Sequence, residues 1–569
     1  MLLCVSSHAT DFDDISVKIE SVTESRSSSG YDEYRVTISN RSLTKSHRVT
    51  VEIYGGAYRD FVGAIKRSVD VAPNATVTVS IFKPQGSVSL GWGIVIDGKR
   101  QNEGMDVDVS RTSAMISHSQ NEYYTLISRN VEKIDLMNDA GVVEGFKSAS
   151  GESDVAYLAY KSPMSEWSGN WIGYSGFDAM FITAEEMREA PESVRAALLR
   201  YVECGGAMVL IGQWDVPKSW QAWRKTAPGN NETYYSVGFG RIVMIDAARV
   251  KQILPAVWGD IKQGWKGPRH SRKVYYDVAD INKDFSVVDR IGIPVRGLFV
   301  LMLAFVIVIG PVNLIWLARK RKKIWMLWTV PAISLLTCLA VTGFALFGEG
   351  VSATARTESL TILDESGRRA TTIGWAAFYS PITQSEGLHF SYDTELTPVM
   401  PEAWSYQSGA SRTFDFSNDQ HLDSGWVMAR IPAYFRFRKS ETRRERLTIK
   451  QAGTDSVEIV NGLGADIRQV WVADRSGKIY KAENVRAGAP ATLSLTGLRI
   501  GMDDLREPFR DANWPEKMKY IEQNAAQYLT PGTYLAALDA SPFVEDGLKD
   551  VKSRKAHTLV YGISAEAER

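Results

Sequence analysis

Two uncharged stretches, with a basic run between them, constrain this chain more than any other feature. Residues 297–317, GLFVLMLAFVIVIGPVNLIWL, carry no charge over 21 positions, and residues 324–347, IWMLWTVPAISLLTCLAVTGFALF, none over 24. As helices, both are long enough to cross the ~30 Å of hydrocarbon in a bilayer. An amphipathic helix of a soluble protein shows a polar face, and neither stretch has one. Between them stand Arg319, Lys320, Arg321, Lys322 and Lys323. Burying that run in a soluble hairpin would cost several kilocalories per charge. Between two spans it belongs on the cytoplasmic side. The reading is therefore a transmembrane helix over 295–318, a cytoplasmic loop of 319–323 and a second transmembrane helix over 324–347. Both long flanks and both termini then lie on the outer side. Trp316, Trp325 and Trp328 fall at the cytoplasmic interface, as an aromatic belt does. Gly310-Pro311 predicts a bend in the first span, and Asn313 is expected to hydrogen-bond to the second. Neither span carries an ionisable group, which argues against a transport pathway.

At 569 residues, the chain exceeds a single core. Its 66 basic and 66 acidic residues cancel, leaving no global field for nucleic acid, and no nucleic-acid partner is expected. Three scattered cysteines and seven scattered histidines offer neither a disulfide framework nor metal-ligand spacing. No metal or cofactor is expected. The opening MLLCVSSHA reads either as the remnant of an export signal over 1–13, with Ser7-His8-Ala9 as the small-x-small end, or as the first residues of a strand.

Residues 14–110 alternate apolar and polar in DISVKIESV, DEYRVTISN, SHRVTVEIYG, ATVTVSIFKP and WGIVIDGK, separated by turn clusters. This predicts an immunoglobulin-like β-sandwich. Residues 111–290 change rhythm. TSAMISHS, VAYLAYKS, FDAMFIT, GGAMVLIG and GRIVMID read as strands, and AEEMREAPESVRAALLRYVE and ARVKQILPAVW as helices, which predicts a parallel, doubly wound sheet. Residues 351–569 return to strands and read as a mainly β outer region of one or two further sandwich domains, with a late helix around PEKMKYIEQNAAQYL.

The run FDAMFITAEEM…SVRAALLRYVECGGAMVLIG, followed by VGFGRIVMI, resembles the class I glutamine amidotransferase-like, flavodoxin-type domain of large bacterial membrane proteins. In those proteins the domain often stands between an outer sandwich and transmembrane helices, and IPVRGLFVLMLAFVIVIGPVNLIWLARKRKK resembles their membrane span. The resemblance implies a bacterial cytoplasmic membrane with the large domains on the periplasmic side. It supports architecture and carries no catalytic signature.

A catalytic amidotransferase needs a cysteine on a sharp strand-to-helix turn, with a later histidine and acid. Cys204 instead follows a helix and precedes a strand. That turn lies at the amino edge of a parallel sheet, whereas ligands gather at the carboxyl edge. Gly205-Gly206 read as a helix stop. No G-x-S-x-G elbow, Walker loop or G-x-G-x-x-G after a strand occurs. His118, placed at the carboxyl end of the first α/β strand, is the alternative catalytic candidate. Two aromatic loops suggest a binding surface for a partner or a glycan: Trp167, Trp171 and Tyr174 before the third strand, and Trp214, Trp220 and Trp223 after GGAMVLIG. The competing reading packs these rings under loops. The expected function is a membrane-anchored envelope scaffold or sensing and binding protein with a non-catalytic amidotransferase-like domain. Its expected partners are the bilayer and other membrane or envelope proteins. The alternative is an envelope hydrolase or amidotransferase-like enzyme working near His118.

Overall fold

The structure is a computed structural model that describes residues 9–23, 30–54, 62–84, 91–101, 107–108, 112–115, 124–150, 157–216, 224–226, 233–265, 278–288, 295–349, 352–399, 412–451, 453, 456–501, 514–549 and 551–564. It is a multidomain protein, and the described residues form four β-sheets and two helices long and apolar enough to cross a membrane.

The first sheet holds Thr10–Phe12, Ile15–Thr23, Tyr31–Asn40 and Thr76–Pro84, with Val107–Asp108 beside Ile15–Thr23. Thr10 pairs with Val17. The described end of the segment read as an export-signal remnant is thus a strand of this sheet. The second sheet contains His47–Tyr54, Ala64–Val71, Gly91–Ile96 and Lys99–Arg100. Side chains alternate across a strand, so Val17, Ile19, Val36 and Ile38 of one sheet meet Val49, Val51, Ile53 and Ile65 of the other in one core.

The second sheet does not end with the amino-terminal flank. Thr413–Asp415 runs parallel to Ala64–Val71, pairing Thr413 with Ala64, Phe414 with Ile65 and Asp415 with Lys66. Gln420–Leu422 and Leu388–Phe390 continue outward from there. Phe414, Phe416, Leu422 and Trp426 enter the same core as Ile65. The two flanks, read from sequence as separate domains, therefore share a sheet.

The third sheet has five parallel strands, ordered Tyr157–Tyr160, Thr125–Ile127, Ala179–Thr183, Ala207–Ile211, Gly240–Ile245. Thr125–Ile127 lies in the run the sequence left unassigned. Thr112–Met115 joins one edge antiparallel, with Thr112 opposite Tyr160 and Met115 opposite Tyr157. TSAM is thus not the first parallel strand, and it runs from the carboxyl edge toward the amino edge.

The fourth sheet has eleven strands in one continuous path from Glu395–Pro398 to Arg446–Gln451, with Ala353–Asp364 parallel to Val551–Ile563 near its middle. Each face carries a core. One includes Ile281, Phe285, Trp375, Ile521 and Tyr561, and the other Leu363, Leu447, Val470, Tyr534 and Val560.

The long helices leave this body side by side. The first runs through Val295–Ile307, a π-helical turn at Val308–Val312 and Asn313–Arg319. The widened turn holds Pro311, which has no N–H to donate, so this irregularity, at the position where a bend is expected, has a backbone cause. Asn313 Nδ2 donates to Thr329 Oγ1 of the helix Met326–Glu349 (2.9 Å), the expected interhelical bond. Lys320 lies over Trp316 (4.2 Å to the ring centroid) and Lys322 over Trp325 (5.4 Å). Leu327 and Trp328 are each 78% exposed, a surface that suits hydrocarbon and interface rather than water.

The segments flanking the hairpin, away from its basic turn, are fastened to each other. Helix Val278–Asp284 precedes the first long helix, and its Ile281 and the following Phe285 are buried on the eleven-stranded sheet. Its Asn282 Oδ1 accepts from Tyr434 Oη (2.8 Å) and Val287 N–H (3.1 Å). Arg356, just beyond the second long helix, donates to Ser286 C=O (2.8 Å) and Ser286 Oγ (3.1 Å) and lies over the Phe285 ring (4.6 Å).

The shared sheet predicts that Ala64→Cys with Thr413→Cys forms a disulfide, because directly paired strand residues lie within bridging distance. With a specific protease site inserted between Lys322 and Lys323, the oxidised, cut chain should run as one species on a denaturing gel without reductant and as two with it. Two fragments in both lanes would contradict the pairing.

Candidate functional site

Numbered along the chain, the five parallel strands stand in the order 2-1-3-4-5. In such a sheet, connections from neighbouring strands 1 and 3 depart to opposite faces and leave a crevice at their carboxyl ends, where ligands bind. Here that crevice falls between Thr125–Ile127, followed by Ser128, and Ala179–Thr183.

The crevice is occupied by the chain itself. Thr183 starts the helix Ala184–Glu189, and Thr183 and Glu186 form a reciprocal capping box. Thr183 Oγ1 accepts from Glu186 N–H (3.2 Å), while Glu186 Oε2 accepts from Thr183 N–H (3.1 Å) and Thr183 Oγ1 (2.9 Å). The same carboxylate reaches across to strand 1. It accepts from Ser128 Oγ and, through Oε1, from Asn130 N–H (3.0 Å). Ser128 is the N-cap of helix Arg129–Ile134 and accepts from Val131 N–H (3.4 Å). A helix start at this edge attracts an anion through its free amides and dipole. Glu186 supplies that anion from within. Both side chains are buried, Ser128 fully, so the Ser128 hydroxyl acts as a cap between a carboxylate and an amide.

The amino edge is closed by a domain joint. Helix Glu192–Glu203 ends at Cys204, and Gly205 takes the left-handed backbone (φ +103°) that such a stop requires. This is the helix end expected from the sequence. Cys204 is buried, and burial pushes its thiol well above the ordinary range despite the nearby Arg438 guanidinium. Its carbonyl accepts from Arg438 Nη1 (3.0 Å), and Arg438 also pairs with buried Glu395. Glu203 holds Arg369 (2.7 Å) and Ser440. Arg369, Glu395, Arg438 and Ser440 all belong to the eleven-stranded sheet.

The aromatic residues divide. Trp167, Trp171 and Tyr174 precede strand 3, so they stand at the amino edge, and all three are buried in the joint. Trp171 Nε1 donates to Asp393 C=O (2.7 Å), Trp167 Nε1 to Ser162 C=O (3.2 Å) and Tyr174 Oη to Ser168 C=O (2.8 Å). Arg438 lies over Trp171 (5.7 Å). These rings satisfy their polar ends inside the protein and present no open face, which corrects the expectation of a binding surface there. Trp214 follows strand 4 at the carboxyl edge and is half-buried against the main core. Trp220 and Trp223 lie outside the described residues, as does His118. The strand leading to His118 ends at the amino edge, which removes the reason for placing that histidine at the carboxyl edge. Arg319 to Lys323 are exposed at the turn between the long helices. Among the described residues, no group of three His, Cys, Asp or Glu side chains could hold a metal ion.

Sequence reasoning missed Glu186. The T-x-x-E spacing of a capping box was readable in TAEE. Its reach to Ser128 depends on which strand neighbours strand 3.

No family model and no curated protein matches the chain. Among solved structures it is similar to a DUF1425 family member from Shewanella sp. pv-4, at 14% identity over 17% of this chain and 92% of that one, with a TM-score of 0.12. It is also similar to the yeast delta-COP-I mu-homology domain, at 8% identity over 37% and 95%, with a TM-score of 0.17. A third, Cwp6 from Clostridium difficile, shows 13% identity over 35% and 33%, with a TM-score of 0.12. Scores this low carry no statement about fold or function.

Two outcomes follow from this geometry. Glu186→Ala should lower the hydrogen-exchange protection of helix Arg129–Ile134 by about 2 kcal/mol, the upper range for losing a cap; unchanged protection would mean that the carboxylate does not hold that helix. Because burial raises the Cys204 thiol, its thiolate stays scarce as pH rises through 8. Iodoacetamide should therefore modify Cys204 in the unfolded chain and leave it intact in the folded one. Rapid modification of the folded protein would contradict the closed joint.

Proposed function

We propose that this chain is a membrane-anchored scaffold or binding protein of the bacterial cell envelope. In this reading the hairpin spans the cytoplasmic membrane with Arg319–Lys323 in the cytoplasm, and the sheets form one body on the outer side. The 2-1-3-4-5 strand order supports a flavodoxin-type, amidotransferase-like domain, and the two packed amino-terminal sheets support an immunoglobulin-like sandwich. The observation that carries the non-catalytic assignment is the placement of Glu186. The crevice where such a sheet offers a ligand its anion site is filled by the chain's own carboxylate, with Ser128 and Thr183 committed to it. The opposite edge, with Cys204, is spent on packing against the carboxyl-terminal half. A body so joined is suited to holding other membrane or envelope proteins in place.

The purified full-length protein in non-ionic detergent is expected to hydrolyse neither glutamine nor p-nitrophenyl acetate above the buffer rate. In-cell crosslinking should recover the same membrane or envelope partners with wild type and with His118→Ala. Hydrolysis that disappears in His118→Ala or Ser128→Ala would overturn the reading in favour of an enzyme.

A further inference from the structure

Two turns of the eleven-stranded sheet bring arginines together. Strand Ala353–Asp364 passes to Arg369–Tyr379 through 365–368, and Ala433–Thr442 passes to Arg446–Gln451 through 443–445. The turns touch, with Arg443 N–H donating to Arg368 C=O (2.9 Å). Between them lies a cavity of about 370 Å³, open to solvent and lined by Glu365, Arg368, Arg443, Arg444, Glu445 and Arg446.

The carboxylates are already engaged. Glu365 Oε1 accepts from Leu447 N–H (2.7 Å) and Tyr534 Oη (2.9 Å). Arg443 pairs with Glu445 (3.2 Å) and Glu441 (2.6 Å) and lies over the Phe543 ring (5.7 Å). Arg368, Arg444 and Arg446 remain, all exposed, with no carboxylate partner for their guanidinium groups among the described residues. Arg368 takes a left-handed backbone (φ +51°), where glycine or asparagine is less strained. An arginine stands there despite that conformational preference.

Arginine forks match phosphate oxygens two bonds at a time. A protein interface would bring an apolar or aromatic centre, and only charged side chains line this cavity. It also lies one strand length, about 36 Å at 3.3 Å per residue, from Ala353, where the strand follows the second long helix. The end of the second long helix is therefore not its nearest neighbour along the strand.

We propose that the cavity between 365–368 and 443–446 binds a phosphate-bearing polyanion through Arg368, Arg444 and Arg446. This goes beyond the scaffold reading and stands independently of it. The test is calorimetric titration of the full-length protein in non-ionic detergent with sodium tripolyphosphate. Wild type should bind, less tightly as salt screens the charges. Arg368→Ala with Arg444→Ala and Arg446→Ala should weaken binding at least about tenfold. Lys45→Ala with Arg48→Ala and Lys99→Ala removes three exposed charges elsewhere and should leave binding within about twofold. If the first triple variant does not fold, Arg444→Glu alone should still weaken binding measurably. Absence of binding by wild type at millimolar tripolyphosphate, an equal loss in the control variant, or a hexaglutamate peptide binding as tightly as tripolyphosphate would each overturn the proposal.

Discussion

The pairing of strand Ala64–Val71 with Thr413–Asp415 is the contact on which the architecture depends. It is short, and its neighbours reinforce it. Gly63 N–H donates to Arg412 C=O (2.8 Å), Phe416 N–H to Lys66 C=O (2.8 Å), and Lys66 Nζ pairs with Asp423 (3.1 Å). Beneath the backbone bonds, Phe414, Phe416 and Trp426 pack with Ile65 in the main core. The segments that pair come from opposite sides of the long hairpin in sequence. An unpaired strand edge here would leave buried backbone groups without partners, so the sheet is complete only when both flanks are present. In the proposed reading, two flanks that share a sheet share a compartment, which an even number of crossings between them satisfies. The Arg356 contact with Ser286 repeats the logic beside the hairpin, where the chain entering it is bonded to the chain leaving it.

The α/β domain makes sense within that frame. Its amino edge is spent on the joint, through Cys204, Glu203, Trp171 and their partners Arg438, Arg369 and Asp393. Its carboxyl edge is spent on caps, through Glu186. Pairing charges such as Arg438 and Glu395 in a buried joint fixes one docking geometry, because a displaced partner would leave an unpaired buried charge.

Periodic and terminal signals were legible in the sequence. The uncharged spans, the alternating strands of 14–110 and the helix stop at Cys204 all announce themselves through local chemistry. So did Asn313, since a lone amide in an apolar helix needs a partner. What escaped depends on contacts between distant segments. Thr413–Asp415 and Thr125–Ile127 are three residues each, too short for a period of two to register. TSAM reads the same whether parallel or antiparallel, and only its pairing with Tyr157–Tyr160 gives the direction. Trp167 and Trp171 stand at the ends of short 3-10 turns, where a ring used for binding and a ring buried under a neighbouring domain have the same local sequence.

The account rests on both flanks lying together, away from the basic turn. Site-directed labelling in spheroplasts tests this most directly, with Cys4 and Cys338 replaced by serine. Cysteines introduced one at a time at Lys99, an exposed strand residue beside a turn, at Ser476, in an exposed turn, and at Arg321 between the long helices would be treated with a membrane-impermeant maleimide, with buried Cys204 left in place. The account predicts labelling of the first two in intact spheroplasts and of the third only after lysis. Labelling of one flank without the other, or of Arg321→Cys before lysis, would contradict it.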